Sequence, residues 1–138
     1  MTIFRDISAN FDKHLLEMVG LPVVAWENAH YEPVIGTLFI RPTNLQGETV
    51  QTGLGDNGDD ETLGIYQVDV FTDSNTGKGP ALSMADTIAD HFKRGTSIDY
   101  NSVNVRILSV SRSAGSNSNG WYNVPVLIKY FSITQART

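Results

Sequence analysis

Apolar and polar side chains alternate along residues 62–73, and this pattern restricts the possible folds more than any other feature of the sequence. The segment reads TLGIYQVDVFTD, and its two sides are Tyr66, Val68 and Val70 against Ile65, Gln67, Asp69 and Phe71. The same period of two recurs in residues 121–134, and in residues 103–113, where one side is Val103, Val105, Ile107 and Ser109. Because successive side chains of a strand point to opposite faces, we predict three strands, each with one face toward a core.

Two other segments repeat apolar residues at steps of three and four. Residues 3–18 follow this spacing, with Thr2 as the N-cap and Gly20 as the stop. In residues 81–92 the apolar stripe consists of Leu82, Ala85, Ile88, Ala89 and Phe92. This spacing places the apolar residues on one side of an α-helix, so both segments are predicted to be amphipathic helices.

Together these elements predict a single α+β domain over residues 1–138. We expect an antiparallel, possibly mixed, sheet of about four to five strands with both helices packed on one face. Residues 21–28 and 34–42 are predicted strands, the second ended by Pro42, and residues 43–54 form a weaker edge strand. Pro125 lacks a backbone N–H and therefore requires an edge position or a bulge.

Two polar segments separate the predicted strands. GDNGDDE, at residues 55–61, concentrates four acidic residues beside two glycines, and residues 114–121 are rich in glycine, serine and asparagine. Such compositions are typical of exposed loops.

The charge and the residue composition exclude several classes of function. The chain has a net charge of −5 and a pI near 5.0, which argues against a surface that grips nucleic acid phosphates. It has no cysteine, so disulfides and thiolate sites are excluded. The first twenty residues carry charges and no apolar signal-peptide core, so we expect maturation in a cytoplasm and no membrane association.

Lys78 lies in the segment TGKG, between a predicted strand and a predicted helix. A phosphate-binding loop of the P-loop type needs a glycine five residues before the Gly-Lys pair and a serine or threonine after it. Here those positions hold Thr72 and Gly79. The segment is therefore predicted to be a corner that turns a strand into a helix.

No other segment has the pattern of a catalytic or metal site. Asp86, Asp90 and His91 share one helix, where a solvated face is the simpler interpretation and a carboxylate metal site the alternative. The acidic loop lacks the register of a calcium-binding loop, and no Gly-x-Ser-x-Gly segment occurs. The sequence predicts no enzyme, no cofactor and no bound metal.

Three landmarks follow one another along the chain: VVAWEN, the stretch from GIYQVDVF to the helix end at ADHF, and YNVPVLIKY. Their order resembles that of the tail terminator-like proteins of long-tailed bacteriophages, over nearly the whole chain. The positions that match are Trp26, Asn28, Gly64, Tyr66, Gln67, Val68, Asp69, Val70, Gly77, Gly79, Ala81, Ala85, Asp86, Phe92, Pro125, Val126 and Tyr130.

The resemblance implies a structural protein of the virion that forms a ring, usually a hexamer, at the head-proximal end of the tail tube. Its implied partners are sister copies, the tail tube protein and the head–tail connector, while genomic DNA passes through the lumen without specific binding. Residues expected at an interface or at the lumen are Asp56, Asp59, Asp60, Glu61, Lys78, Asn117 and Asn119. The alternatives are another head–tail joining or tail tube subunit, and a small metal- or ligand-binding domain.

Overall fold

The computed structural model describes residues 2–55, 58–135 and 137. Within them, two helices and seven strands follow the chain in this order: α1 (Ile3–Leu16), β1 (Val23–Val24), β2 (Phe39–Gln51), β3 (Asp60–Asp73), α2 (Gly79–His91), β4 (Ser97–Tyr100), β5 (Val103–Arg112), β6 (Ser116–Ser118) and β7 (Trp121–Thr134). The strands form one sheet in the order β1-β2-β3-β7-β5-β4, with β6 paired to the start of β7. Only β1 and β2 run parallel.

The α+β class and the mostly antiparallel sheet are therefore confirmed, but the prediction of four to five strands was too low. The prediction missed β4 and β6, which are short and largely exposed, so neither shows a clear alternation of apolar and polar residues. Residues 114–121, expected to be a loop, contain β6.

The core lies between the helices and the sheet face that carries Tyr66 and Tyr130. Phe11 of α1 packs on both tyrosines, with ring centroids 4.6 Å away in each case, and lies 6.3 Å from Phe92 at the end of α2. All four rings are buried. Burial of each such side chain contributes about 1.5–3 kcal/mol, so this aromatic cluster is a main attachment of both helices to the sheet.

The predicted strand boundaries before residue 60 were wrong in three places. The strand predicted at 21–28 is only Val23–Val24, and the one predicted at 34–42 begins at Phe39. It also continues through Pro42 to Gln51. Pro42 pairs with Val68 of β3, while the pairing with β1 ends at Ile40, so beyond Ile40 the outer edge of β2 has no described strand beside it. A residue without an N–H is tolerated at such an edge.

The long strands include two irregularities. In β5 the register shifts between Ile107 and Ser109, so Val110 and not Ser109 packs against the core after this bulge. Pro125 lies neither at an outer edge nor at a bulge, since β7 is central in the sheet. It falls in a gap between the pairing with β5, which ends at Val126, and the pairing with β6, which ends at Asn123. No ladder hydrogen bond from its nitrogen is needed there.

The corner before α2 has the predicted conformation. Gly77 has a φ of +83°, a value that glycine adopts without steric cost. The buried stripe of α2 is Ala81, Ala85 and Ile88, followed by Phe92, whereas the predicted stripe members Leu82 and Ala89 are only half-buried. The buried face of α2 is therefore rotated slightly from the predicted one: it includes Ala81, while Leu82 and Ala89 lie at its margins.

Candidate assembly surfaces

The acidic segment is the tip of a long hairpin formed by β2 and β3. Its strands pair as far as Gln51 and Asp60, and the N–H of Thr52 donates to the carbonyl of Asp59 at 2.8 Å. Asp60 and Glu61, expected in a loop, thus belong to β3 because the hairpin is longer than the alternation pattern indicates. Leu54, at the tip, is fully exposed. Asp56 lies outside the described residues.

The described acids of this hairpin point in different directions. Asp59 lines a cavity of about 610 Å³ near the start of α1, and Thr2, Asp6 and Asn101 also line it. Asp60 and Glu61 are successive strand residues, so their side chains point to opposite faces of the sheet. The structure therefore does not gather these acids into one site.

The remaining predicted residues lie at the other end of β3. Lys78 is exposed and directly precedes α2. Asn117 accepts a hydrogen bond from the hydroxyl of Ser74 at 3.1 Å, which ties the β6 segment to the end of β3. Asn119 is exposed in the turn before β7, with a φ of +51°. The 14 residues of β3 separate this corner from the hairpin tip by roughly 40 Å.

A pair of histidines joins the two helices, and the sequence analysis missed it. The rings of His14 and His91 stack with centroids 4.1 Å apart. Nε2 of His14 lies 3.0 Å from the carbonyl oxygen of His91, and Nε2 of His91 lies 2.6 Å from that of His14. A carbonyl oxygen only accepts, so each Nε2 donates its proton. The residues are 77 positions apart, and no local pattern signals their contact.

A carboxyl–hydroxyl pair lies beside this helix contact. The hydroxyl of Tyr66 donates to Oδ1 of Asp12 at 2.8 Å. Burial raises the pKa of Asp12 above its usual range; the bond from Tyr66 lowers it by less, and Glu27 adds a smaller rise. Burial, with Asp12 nearby, also raises the pKa of Tyr66. Both groups link α1 to the sheet.

The sheet face away from the helices carries the largest set of exposed apolar side chains. Five of them, each between 45% and 49% exposed, lie on it: Leu45, Val50, Leu63, Leu108 and Ile133. We call this surface the helix-free face. The alternation in β3 and β7 predicts that the outward side of each strand mixes polar and apolar residues. Only the order of the strands in the sheet brings these apolar residues together.

The candidate metal ligands of the sequence do not come together in the described residues. No group of three or more histidine, aspartate or glutamate residues among them could hold a metal ion. Asp86 and Asp90 lie on the exposed side of α2, while His91 turns toward His14. Neither described helix has the length and apolar character needed to cross a membrane. The features that remain as candidates are the hairpin tip, the corner before α2 and the helix-free face.

Comparison with known proteins gives these surfaces a context. The family described as phage tail terminator protein matches residues 6–130. No curated protein matches the chain. A solved protein whose name states no function shares the fold with a TM-score of 0.70 and 19% identity, over 96% of each chain. A chain from the virion of a native gene transfer agent particle shares it with a TM-score of 0.60 and 12% identity, over 96% of this chain and 98% of that one.

The two structural likenesses show a common fold, and the family match extends over most of the sequence. It agrees with the order of landmarks in VVAWEN, GIYQVDVF and YNVPVLIKY, and it supports a structural role in the phage tail. This chain belongs to the phage tail terminator family, a family of structural virion proteins and not of enzymes.

Proposed function

We propose that the chain is the subunit of a ring, a hexamer, that caps the head-proximal end of the tail tube. The ring ends polymerisation of the tube and provides the surface to which the head connector joins. The observation that carries this proposal is the family match over residues 6–130, on a fold that a chain of a gene transfer agent virion shares. Assembly takes place in the cytoplasm of the bacterial host.

Two separate outward surfaces suit a subunit that joins two different partners. The acidic hairpin tip and the corner with Lys78, Asn117 and Asn119 lie at opposite ends of β3. A ring between a tube and a connector needs one surface toward each, besides the contacts between sister copies. These two ends are candidates for contacts with the tube, the connector or a sister copy.

The acidic residues suit a passage for DNA or a contact with a neighbouring subunit. The net charge of −5 repels phosphates, so a genome moves through an acidic lumen without adhering to it. We assign Asp56, Asp59, Asp60 and Glu61 to the lumen or to the subunit interface.

Locating the protein in assembled tails tests the proposal. Electron microscopy of tails labelled through a tag on this chain is expected to show one ring at the head-proximal end, and its deletion to give tails of uncontrolled length that do not join heads. Label along the whole tube would identify a tube subunit, and label within the head vertex a joining protein. Either pattern would contradict the terminator role.

A mass measurement in solution separates the assembly role from the alternative of a small metal-binding domain. We expect light scattering to give the same mass with and without a divalent metal. A monomer whose fold or mass changes only with the metal would contradict the structural role.

A further inference from the structure

The apolar residues of the helix-free face form one continuous surface across four strands. Leu45 pairs with Ile65, Leu63 pairs with Phe131, and Glu61 separates Val50 from Ile133 in one row of the sheet. Together with Leu108 at the β5 bulge, several of these residues line a shallow concavity of about 380 Å³. Contiguous exposed apolar surfaces of this kind mark interaction sites in soluble proteins.

The chain covers the same face elsewhere with its own residues, which makes the bare part distinctive. Near the start of β2, Tyr31 packs on Phe39 with ring centroids 5.0 Å apart. Phe39 in turn stacks on Phe71 at 4.7 Å and contacts Trp121 at 5.1 Å. The connection before β2 thus covers one end of the face, and no described segment covers the end with Leu45 and Leu63.

Two cations, Lys129 and Arg106, and one acid, Glu61, stand among the bare apolar residues. Lys129 pairs with Ile65, and Arg106 pairs with Phe131, so both side chains belong to the helix-free face, and both are exposed. Neither cation has a salt bridge to a carboxylate among the described residues. Two copies packed through this face about a two-fold axis would bring these like charges together. The face therefore suits a surface that is apolar and acidic.

The hairpin has this character. Residues 52–60 contain three acidic and no basic residues. Leu54 at the tip is fully exposed, and Asp59, whose carbonyl closes the ladder with Thr52, is exposed and without an ion pair among the described residues. The turn with Val34 and Ile35 is also apolar and exposed, but residues 27–37 contain only two acidic residues, Glu27 and Glu32. Charge complementarity therefore favours the hairpin tip.

We propose that the helix-free face of one copy receives the hairpin tip of the next copy, with Leu54 on the apolar residues and the acids toward Lys129 and Arg106. Two different surfaces meet in this contact, so it repeats head to tail, and it gives a ring when the rotation from one copy to the next closes. The inference rests on the proposed ring and names the two surfaces that build it. The charged rim makes the association weaken as the salt concentration rises.

Cross-linking of single-cysteine variants tests the contact directly, since the natural chain has no cysteine. Equimolar Leu54→Cys, carrying a mass tag, and Leu108→Cys are mixed at up to about 1 mM, a range that captures weak complexes, and treated with a short thiol cross-linker. We expect the mixed dimer of these two variants to form in several-fold excess over the mixed dimer of Ile35→Cys and Leu108→Cys. Ile35 is a matched control, because it is an exposed aliphatic residue beside acids.

Sedimentation of charged variants provides the second measurement. Leu63→Lys is expected to reduce the association constant by about tenfold or more, whereas Val19→Lys, at a site that is 91% exposed and on neither surface, leaves it unchanged. No excess of the Leu54 product, or a chain that stays monomeric at every concentration, would overturn this contact. The tail-labelling result would still stand, so the two proposals fail separately. A preference for Ile35 would assign the partner surface to residues 33–37 instead.

Discussion

At the scale of single residues, the burial of the Asp12 carboxyl links stability to pH. The raised pKa of Asp12, which burial causes, means that the folded chain holds this proton more tightly than the unfolded chain does. The resulting stabilisation is complete below the pKa of the unfolded chain, about 4, and is lost as the pH rises through the folded value. At neutral pH the ionised carboxylate therefore lowers the free energy of unfolding.

We predict that Asp12→Asn raises the free energy of unfolding at pH 7. The amide oxygen still accepts the bond from Tyr66, but the partly buried charge is removed. Because the site is partly exposed, the gain is less than about 1 kcal/mol, and it vanishes toward pH 4. Urea denaturation at both pH values measures it, with Asp90→Asn on the exposed side of α2 as the control. A variant that is less stable at both pH values would contradict the assignment.

Gly64 shows how one position fixes the packing of an adjacent strand. A Cβ at Gly64 would lie 2.6 Å from the hydroxyl oxygen of Tyr130. That ring is buried, contacts Phe11, and donates a hydrogen bond to Oδ1 of Asn44 at 2.8 Å. Its burial and this hydrogen bond oppose a shift of the ring.

We therefore predict that Gly64→Ala lowers the free energy of unfolding by about 1–3 kcal/mol, the usual cost of overpacking. Gly79→Ala is the matched control, because a Cβ there meets nothing within 4 Å and the residue lies in the first turn of α2. Chemical denaturation of both variants compares them. Equal midpoints would show that Tyr130 moves aside without cost.

At the scale of elements, the hairpin consists of a paired base and a tip that we predict the fold does not need. Thr52 and Asp59 close the ladder, and the residues between them add no buried apolar side chain among those described. Shortening a loop changes the closure entropy only slightly.

Replacing residues 53–58 by Asn-Gly should keep the free energy of unfolding within about 1 kcal/mol, since this dipeptide forms a two-residue hairpin turn. Circular dichroism and thermal melting check the fold, and light scattering checks the association, which we expect to be lost with Leu54. An unfolded variant would show that the tip is part of the structural core. An intact variant that still forms rings would contradict the role of the tip in the contact.

At the scale of the whole molecule, the sequence predicted what depends on local periodicity. The alternation that puts Tyr66, Val68 and Val70 toward the core holds in the structure, and so do both helices. Periodicity did not predict contacts between distant positions, such as His14 with His91, because nothing local marks them. The helix-free face was missed for the same reason, since only the strand order brings Leu45 and Leu108 to the same concavity.

Proline positions show why strand boundaries were less predictable than strand identities. Because proline lacks an N–H, it cannot donate a ladder hydrogen bond on one side of its strand. Whether a neighbouring strand lies on that side depends on the order of the strands in the sheet. Pro42 adjoins an edge that has no described strand beside it beyond Ile40, and Pro125 faces the gap between β5 and β6. Neither gap is visible before the strands are ordered.

The outer edge of β2 bears on how growth of the assembly ends. A strand edge with free donors and acceptors can add further strands without limit, and fibres result. Here Pro42 removes one donor, and the register shift between Gln46 and Thr49 breaks the regular spacing of the others. This irregular border therefore disfavours pairing of copies strand to strand, which suits the proposed closed particle of fixed size better than an endless ribbon.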